Sequence, residues 1–409
     1  MLKRIGIEHL RLGMHIHELC GSWMEHPFWR TAFLLEDVKD FKAIVASGIS
    51  EVWIDTERGL DVAAGQAKEE SDDRVEEALI EVATREVAPV ERISLQEEVS
   101  RAARICAKAK SAVTSMFREA RMGKALDAKD ALPLVEEISA SVMRNPGALI
   151  SLARLKTKDD YTYMHSVAVC ALMVALSRQL GLDADQTRQA GLAGLLHDIG
   201  KMEIPDIILN KPGRLTDAEF VTVKAHPEAG HRMLLEGHGV DAVALDVCLH
   251  HHEKVDGTGY PHRLKAGEIS LYARMGAVCD VYDAITSDRP YKAGWSPSEA
   301  LRKMAEWAKG HFDEAVFQAF VKSVGIYPVG TLVRLESGRL AVVVDQSEKS
   351  LLMPRVKVFF SSRSRAYLPP EIIDLSWRGC DDRIAAREEP AKWGFKNLER
   401  LWQTVESVA

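Results

Sequence analysis

The chain has 409 residues, of which 46% are hydrophobic and 28% charged, and its formal net charge is -7. At about 100–200 residues per domain that length allows two to four domains, and the composition is that of an ordinary soluble globular protein. An acidic chain without a basic stretch is not built to bind nucleic acid. The six cysteines, Cys20, Cys106, Cys170, Cys248, Cys279 and Cys380, are scattered and form no Cys-x-x-Cys pair. Reduced thiols in a cytoplasmic protein fit that pattern better than a disulfide framework. The N-terminus lacks the apolar stretch of a signal peptide. The longest apolar run, near Val167 to Leu176, is too short for a membrane span.

Residues 1–62 predict a small N-terminal domain, α/β or β-rich and regulatory. Glu51–Asp55 alternates as a strand and Asp37–Ala46 reads as a short helix. Trp23, Phe28, Trp29 and Phe33 supply a small core, with His26-Pro27 as a polar turn in it. Residues 63–150 form a helical linker region. Its first part, rich in Ala, Glu, Asp and Lys around Glu69–Asp73, reads as a solvated linker or a mobile helix. Helices follow over Ser94–Ala125 and Asp130–Met143, and Asn145-Pro146-Gly147 breaks the second. These helices pack on the next domain or support a homodimer. Residues 151–325 are helical in pattern and carry the chemistry. Residues 326–409 form a β-rich extension, with strands at Thr331–Leu335, Leu340–Val344 and Val356–Phe360. The expected fold class is a multidomain α+β protein. Its central domain is all-α, flanked by the small N-terminal domain and the β-rich C-terminal tail.

The chemistry centres on His197-Asp198-Ile199-Gly200-Lys201, where the apolar helix Leu192–Leu196 ends in an imidazole beside a carboxylate. Such a pair can bridge two cations, because the side chains leave the backbone in different directions. Taken alone it is equally a helix cap and a turn. His165 shares a helical face with Val169, Leu172 and Leu176; His226, the run His250-His251-His252 and Asp280 also fall in helical, largely apolar surroundings. Burying about seven such groups unpaired would cost several kcal/mol each, and cations between them remove that cost. Nitrogen and oxygen donors without thiolate suit iron or manganese, with nickel, cobalt or zinc as alternatives, and the number of donors calls for two divalent ions. A two-metal site suits phosphoester hydrolysis, with Lys201 placed to neutralise or protonate a phosphate oxygen.

The ordered series His197-Asp198, Gly200-Lys201, His251-His252-Glu253 and Asp256-Gly257-Thr258-Gly259-Tyr260-Pro261 resembles the HD-GYP subgroup of the HD phosphohydrolase superfamily. Lys211-Pro212-Gly213-Arg214, Asp280–Ala284 and Arg289-Pro290-Tyr291-Lys292 continue the likeness, which covers roughly residues 155–325. It implies an HD-type all-helical domain and hydrolysis of cyclic di-GMP to pGpG or GMP. The implied ligands are His165, His197, Asp198, His226, His251, His252 and Asp280. The implied catalytic pair is Lys201 and Asp198, and substrate contacts fall to Asp283, Arg289, Lys292 and Tyr260. In the family the Gly-Tyr-Pro loop is also linked to GGDEF-domain partners; by residue types alone it is a helix-connecting turn. Family members with three metals carry a glutamate four residues before the first histidine ligand. Tyr161 stands there, with Asp159 and Asp160 off the His165 face, so two ions are expected. Residues 1–62, with Leu12-Gly13-Met14, resemble an uncharacterised domain found before some HD-GYP domains. The alternatives are a weakly active cyclic di-GMP receptor or docking module, and an HD hydrolase of another nucleotide. His226 and the His251-His252 pair exceed what the latter needs.

Overall fold

The computed structural model describes residues 1–20, 32–47, 49–84, 93–154, 161–211, 213, 215–287, 294–347 and 349–402. Trp23, Phe28, Trp29, His26, Asp159, Asp160, Arg214, Arg289 and Lys292 lie outside these residues. Tyr161 opens a helix, with its side chain outside the description.

Five strands form the N-terminal sheet: β1 (Leu2–Gly6), β2 (His15–Cys20), β3 (Phe33–Leu34), β4 (Glu51–Asp55) and β5 (Gln66–Ala67). Their order is β3-β2-β4-β1-β5, antiparallel throughout. Helix α1 (Val38–Ala46) starts where the Asp37 carboxylate accepts the Lys39 N–H. Ile5, Ile16, Leu35, Ile44, Val52 and Ile54 close the core beneath it.

Of the expected solvated linker or helix, the structure shows the helix, α2 (Lys68–Thr84), with one face packed. Glu70, Asp73, Glu77 and Glu81 are exposed, while Leu79, Val82 and Ala83 are buried and Val75 packs beside them. The helical spacing of those four residues is masked in the sequence by the surrounding charges.

Helix α3 (Leu95–Arg121) begins in a capping box of Ser94 and Glu97. Helices α4 (Ala128–Arg144) and α5 (Pro146–Arg154) meet at Asn145, whose side-chain oxygen accepts the Ala148 N–H. Next come α6 (Tyr161–Gln179), α7 (Ala184–Leu196), α8 (Asp206–Leu209), α9 (Asp217–Lys224), α10 (His226–Leu235) and α11 (Ala242–His250). Then α12 (Leu271–Thr286), α13 (Pro297–His311) and α14 (Glu314–Val324) complete the domain. One continuous core joins Val99 and Phe117 of α3 to Val167 and Cys170 of α6 and Leu195 of α7.

The C-terminal sheet holds β6 (Leu332–Leu335), β7 (Arg339–Asp345), β8 (Arg355–Ser361), β9 (Ala366–Asp374) and β10 (Ile384–Arg387), in the order β10-β6-β7-β8-β9. The first three match the expected strands. The sequence hides β9 because Pro369 and Pro370 sit in it and most of it is exposed, which an edge strand tolerates. Helix α15 (Pro390–Trp393) then lies against the sheet, Trp393 facing Phe360. The fold class is the expected one: a central helical domain between two antiparallel sheets. Among the described residues no helix is long and apolar enough to cross a membrane.

Candidate metal centre

The structure brings all seven expected ligands to one place, from five segments. His165 comes from α6, and His197 and Asp198 end α7. His226 opens α10, His251 and His252 follow α11, and Asp280 lies on α12. All seven are buried. After Asp198 the chain makes a 3-10 turn over Ile199–Glu203 that lies directly on α10. A Cβ on Gly200 would stand 2.0 Å from the His226 carbonyl oxygen and 2.4 Å from the Gly230 nitrogen. Glycine at position 200 therefore lets the His-Asp turn and His226 come into register.

Backbone carbonyls aim the histidines. The Nδ1 atoms of His197, His226 and His251 lie 2.8 Å from Gly194 O, 2.8 Å from Val223 O and 3.0 Å from Val247 O. Each bond fixes the tautomer with Nδ1 as donor and turns Nε2 to the centre. His165 is held differently: its Nδ1 lies 2.6 Å from Asp283 Oδ2, and its Nε2 lies 2.9 Å from Asp280 Oδ1.

Asp198 sits between two groups of ligands. Its Oδ2 is 3.3 Å from His197 Nε2 and 3.4 Å from His165 Nε2. Its Oδ1 is 3.2 Å from His226 Nε2 and 3.8 Å from His251 Nε2. The potential ligand atoms of His165, His197 and Asp280 lie within 4.8 Å of one another, as do those of His226, His251 and His252. His197, Asp198 and His251 form a third such group between them. Lys201 bonds Asp198 Oδ2 from the rim.

Burial works against each charge here, and at His165, His197, Asp198 and Asp280 the neighbours outweigh it. Asp198 and Asp280 push His197 up to about 10, and His165 is raised in the same way by Asp198, Asp280 and Asp283. Against the cost of burial, Asp198 is held well below the usual carboxylate range by Lys201 and the histidines, and Asp280 by the histidines. Burial and then the other imidazoles push His251 down to about 3, and His252 falls well below its ordinary value. Two buried atoms, His197 Nε2 and Asp198 Oδ1, make no properly directed hydrogen bond. Orphaned donor atoms beside neutral imidazoles and ionised carboxylates are what a divalent cation needs as ligands, so the residues fit a metal centre.

The flanking residues fall as follows. His250 ends α11 and turns away from the cluster, its Nδ1 2.8 Å from Asp246 Oδ1 and its Nε2 3.1 Å from His262 Nδ1. Tyr260 stacks on His252, ring centroids 4.7 Å apart. Asp283, implied as a substrate contact, is 2% exposed and bonded to His165. Three features escaped sequence reasoning. One is that bond. Another is Glu253, 2% exposed, whose oxygens accept the N–H groups of His262 at 2.7 Å and Leu264 at 3.0 Å and so tie down the loop. The third is Lys224, which lies over Tyr260. Its place two residues before His226 was the available signal.

A His-Asp pair at a helix end, completed by histidines and an aspartate from neighbouring helices, defines a metal-dependent phosphohydrolase of the HD type. A family model described as HD domain matches residues 142–316, and one described as a domain of unknown function (DUF3391) matches residues 2–131. The chain is 59% identical over 404 residues to cyclic di-GMP phosphodiesterase PA4108 of Pseudomonas aeruginosa, covering 98% of this chain and 96% of that protein. It is 39% identical over 189 residues to a cyclic di-GMP phosphodiesterase of Vibrio cholerae, 42% of this chain and 38% of that one. It is 34% identical over 177 residues to 3'3'-cGAMP-specific phosphodiesterase 1 of Vibrio cholerae, 43% of this chain and 41% of that one. The chain belongs to the HD-GYP family.

Proposed function

We propose that this protein hydrolyses cyclic di-GMP, using two divalent transition metals, iron or manganese first, held by the seven ligands. The observation that carries the reading is the Asp198 carboxylate, whose two oxygens face two separate groups of ligands. His165, His197 and Asp280 would hold one ion, His226, His251 and His252 the other, with Asp198 shared. Bound there, the ions supply Lewis acidity toward the phosphate and a lowered pKa for water. The long match to PA4108 favours cyclic di-GMP over 3'3'-cGAMP, since the cGAMP-specific relative matches over less than half of the chain.

The protein's own groups divide the remaining work. Asp283 and the three backbone carbonyls keep the imidazoles aimed, so little reorganisation accompanies binding. Lys201, at Asp198 Oδ2 with its side chain 20% exposed, reaches from the cluster toward solvent. There it neutralises a phosphate oxygen or gives its Nζ proton to the leaving oxygen. Arg289 and Lys292, in the segment after α12, are further anion contacts. The loop 256–261, ordered by Glu253, borders the site and is the surface for GGDEF-domain partners. The products are pGpG, GMP or both. The seat of activity is the cytoplasm, and the chain works alone or as a homodimer. The test is to incubate metal-loaded protein with cyclic di-GMP and separate the products by chromatography. Linear pGpG or GMP is expected; a ligand that is bound and recovered intact would make the protein a receptor instead.

A further inference from the structure

The burial of the ligands locates the mouth of the centre. His165, His197, Asp198, His226 and His251 are 1% exposed or less, whereas Asp280 is 5% exposed and His252, 3.8 Å from it, 9%. The open side is therefore that of His252, and the Tyr260 ring lies against it, 24° from parallel. Lys224 Nζ stands 5.0 Å from the Tyr260 ring centroid and 4.8 Å from that of Phe220. Both distances are within cation–π range. Lys224 ends α9, and the next residue but one, His226, is pinned to the Val223 carbonyl. The backbone that carries this ammonium is thus fixed to the metal centre, and the two rings keep its long side chain beside the mouth.

The chemistry of the substrate asks for a cation at such a place. A cyclic dinucleotide carries two phosphodiesters on one ring. When one lies at the metals and Lys201, the other remains anionic and outside the cluster. An anion brought out of water against an acidic protein needs a paired charge, and lysine binds phosphate as a point charge. We propose that Lys224 is a substrate-binding residue that pairs with the second, non-reacting phosphodiester of cyclic di-GMP. This rests on the reading of the site as a cyclic di-GMP hydrolase. It gives each phosphodiester its own lysine: Lys201 at Asp198 and Lys224 at Tyr260.

The test is steady-state kinetics on cyclic di-GMP with metal-loaded full-length protein, comparing wild type, Lys224→Met and Lys224→Arg, with metal content measured for each. Methionine keeps an apolar stem on Tyr260 and removes the charge; arginine keeps the charge. The expected result is a KM raised about tenfold in Lys224→Met with kcat within about threefold, and a KM near wild type in Lys224→Arg. Added salt should also raise the KM of the wild type more steeply than that of Lys224→Met. An unchanged KM in Lys224→Met overturns the proposal and leaves the functional reading standing. So does a fall in metal content and kcat together, which would make Lys224 a prop for Tyr260. Loaded wild type that leaves cyclic di-GMP intact overturns both.

Discussion

His165 and Asp283 are joined by a 2.6 Å hydrogen bond between Nδ1 and Oδ2, with both side chains buried. The bond ties α6 to α12 and leaves His165 Nε2 facing Asp280 and Asp198. A carboxylate behind a ligating imidazole fixes its orientation and raises its basicity. Asp283→Asn should therefore weaken metal binding about 10–100-fold with the fold intact. Titration of the metal-free variant with manganese checks this. Unchanged affinity would show that Asp283 does not act through His165.

Lys201 bonds Asp198 but is not placed as a ligand. Lys201→Ala should retain both metals while kcat falls about 10²–10³-fold, the loss usual for one electrostatic group aimed at developing charge. Metal analysis beside kinetics decides the matter. If metal content falls in proportion to the rate, Lys201 serves the fold of the turn.

Metal binding should release protons. In the metal-free protein burial opposes the charged form of His197, yet Asp198 and Asp280 outweigh it and place the pKa at about 10. A free imidazole titrates near about 6.5, so His197 carries a proton at neutral pH and must lose it before ligation. Metal affinity then rises with pH up to about 10. The raised pKa also stabilises the metal-free fold fully below about pH 6.5, a contribution lost as pH rises through about 10. Calorimetry at pH 7 in buffers of different ionisation enthalpy reads the released protons. Heats that do not depend on the buffer would contradict the assignment.

That these seven imidazoles and carboxylates would be gathered in one place was legible in the sequence, because such groups on apolar helices must be paired. The Gly-Tyr-Pro loop was legible from its glycines; a Cβ on Gly259 would stand 2.4 Å from the Lys254 nitrogen. The contacts of Asp283, Glu253 and Lys224 were not legible, since each depends on which element faces which. A carboxylate three residues after Asp280 could have pointed at substrate as readily as at His165. The packed face of α2 was hidden for a similar reason: Leu79 and Val82 have meaning only once α13 and α14 lie against the helix.

The N-terminal sheet is attached to the helical domain through charge. Lys303 of α13, 5% exposed, donates to Glu18 of β2 at 2.8 Å, with Glu306 at 3.5 Å. Arg302 beside it bonds Asp72 of α2 and lies 3.0 Å from Glu306. Glu18 keeps 27% of its side chain exposed and Glu306 retains Arg302, so Lys303→Met should cost about 1–3 kcal/mol, the loss of a charged hydrogen bond. Denaturant unfolding of the full chain measures it. A change below about 0.5 kcal/mol would show that the pair adds nothing to the attachment.

The central claim is that Asp198 is shared by two metals that carry the hydrolysis. The measurement is metal content and cyclic di-GMP turnover on the same preparations of wild type and Asp198→Ala, with circular dichroism to show that both are folded. The account predicts that Asp198→Ala loses bound metal and that its hydrolysis falls to background, while the wild type holds two ions and yields linear product. A folded Asp198→Ala protein with full metal content and normal turnover would contradict it.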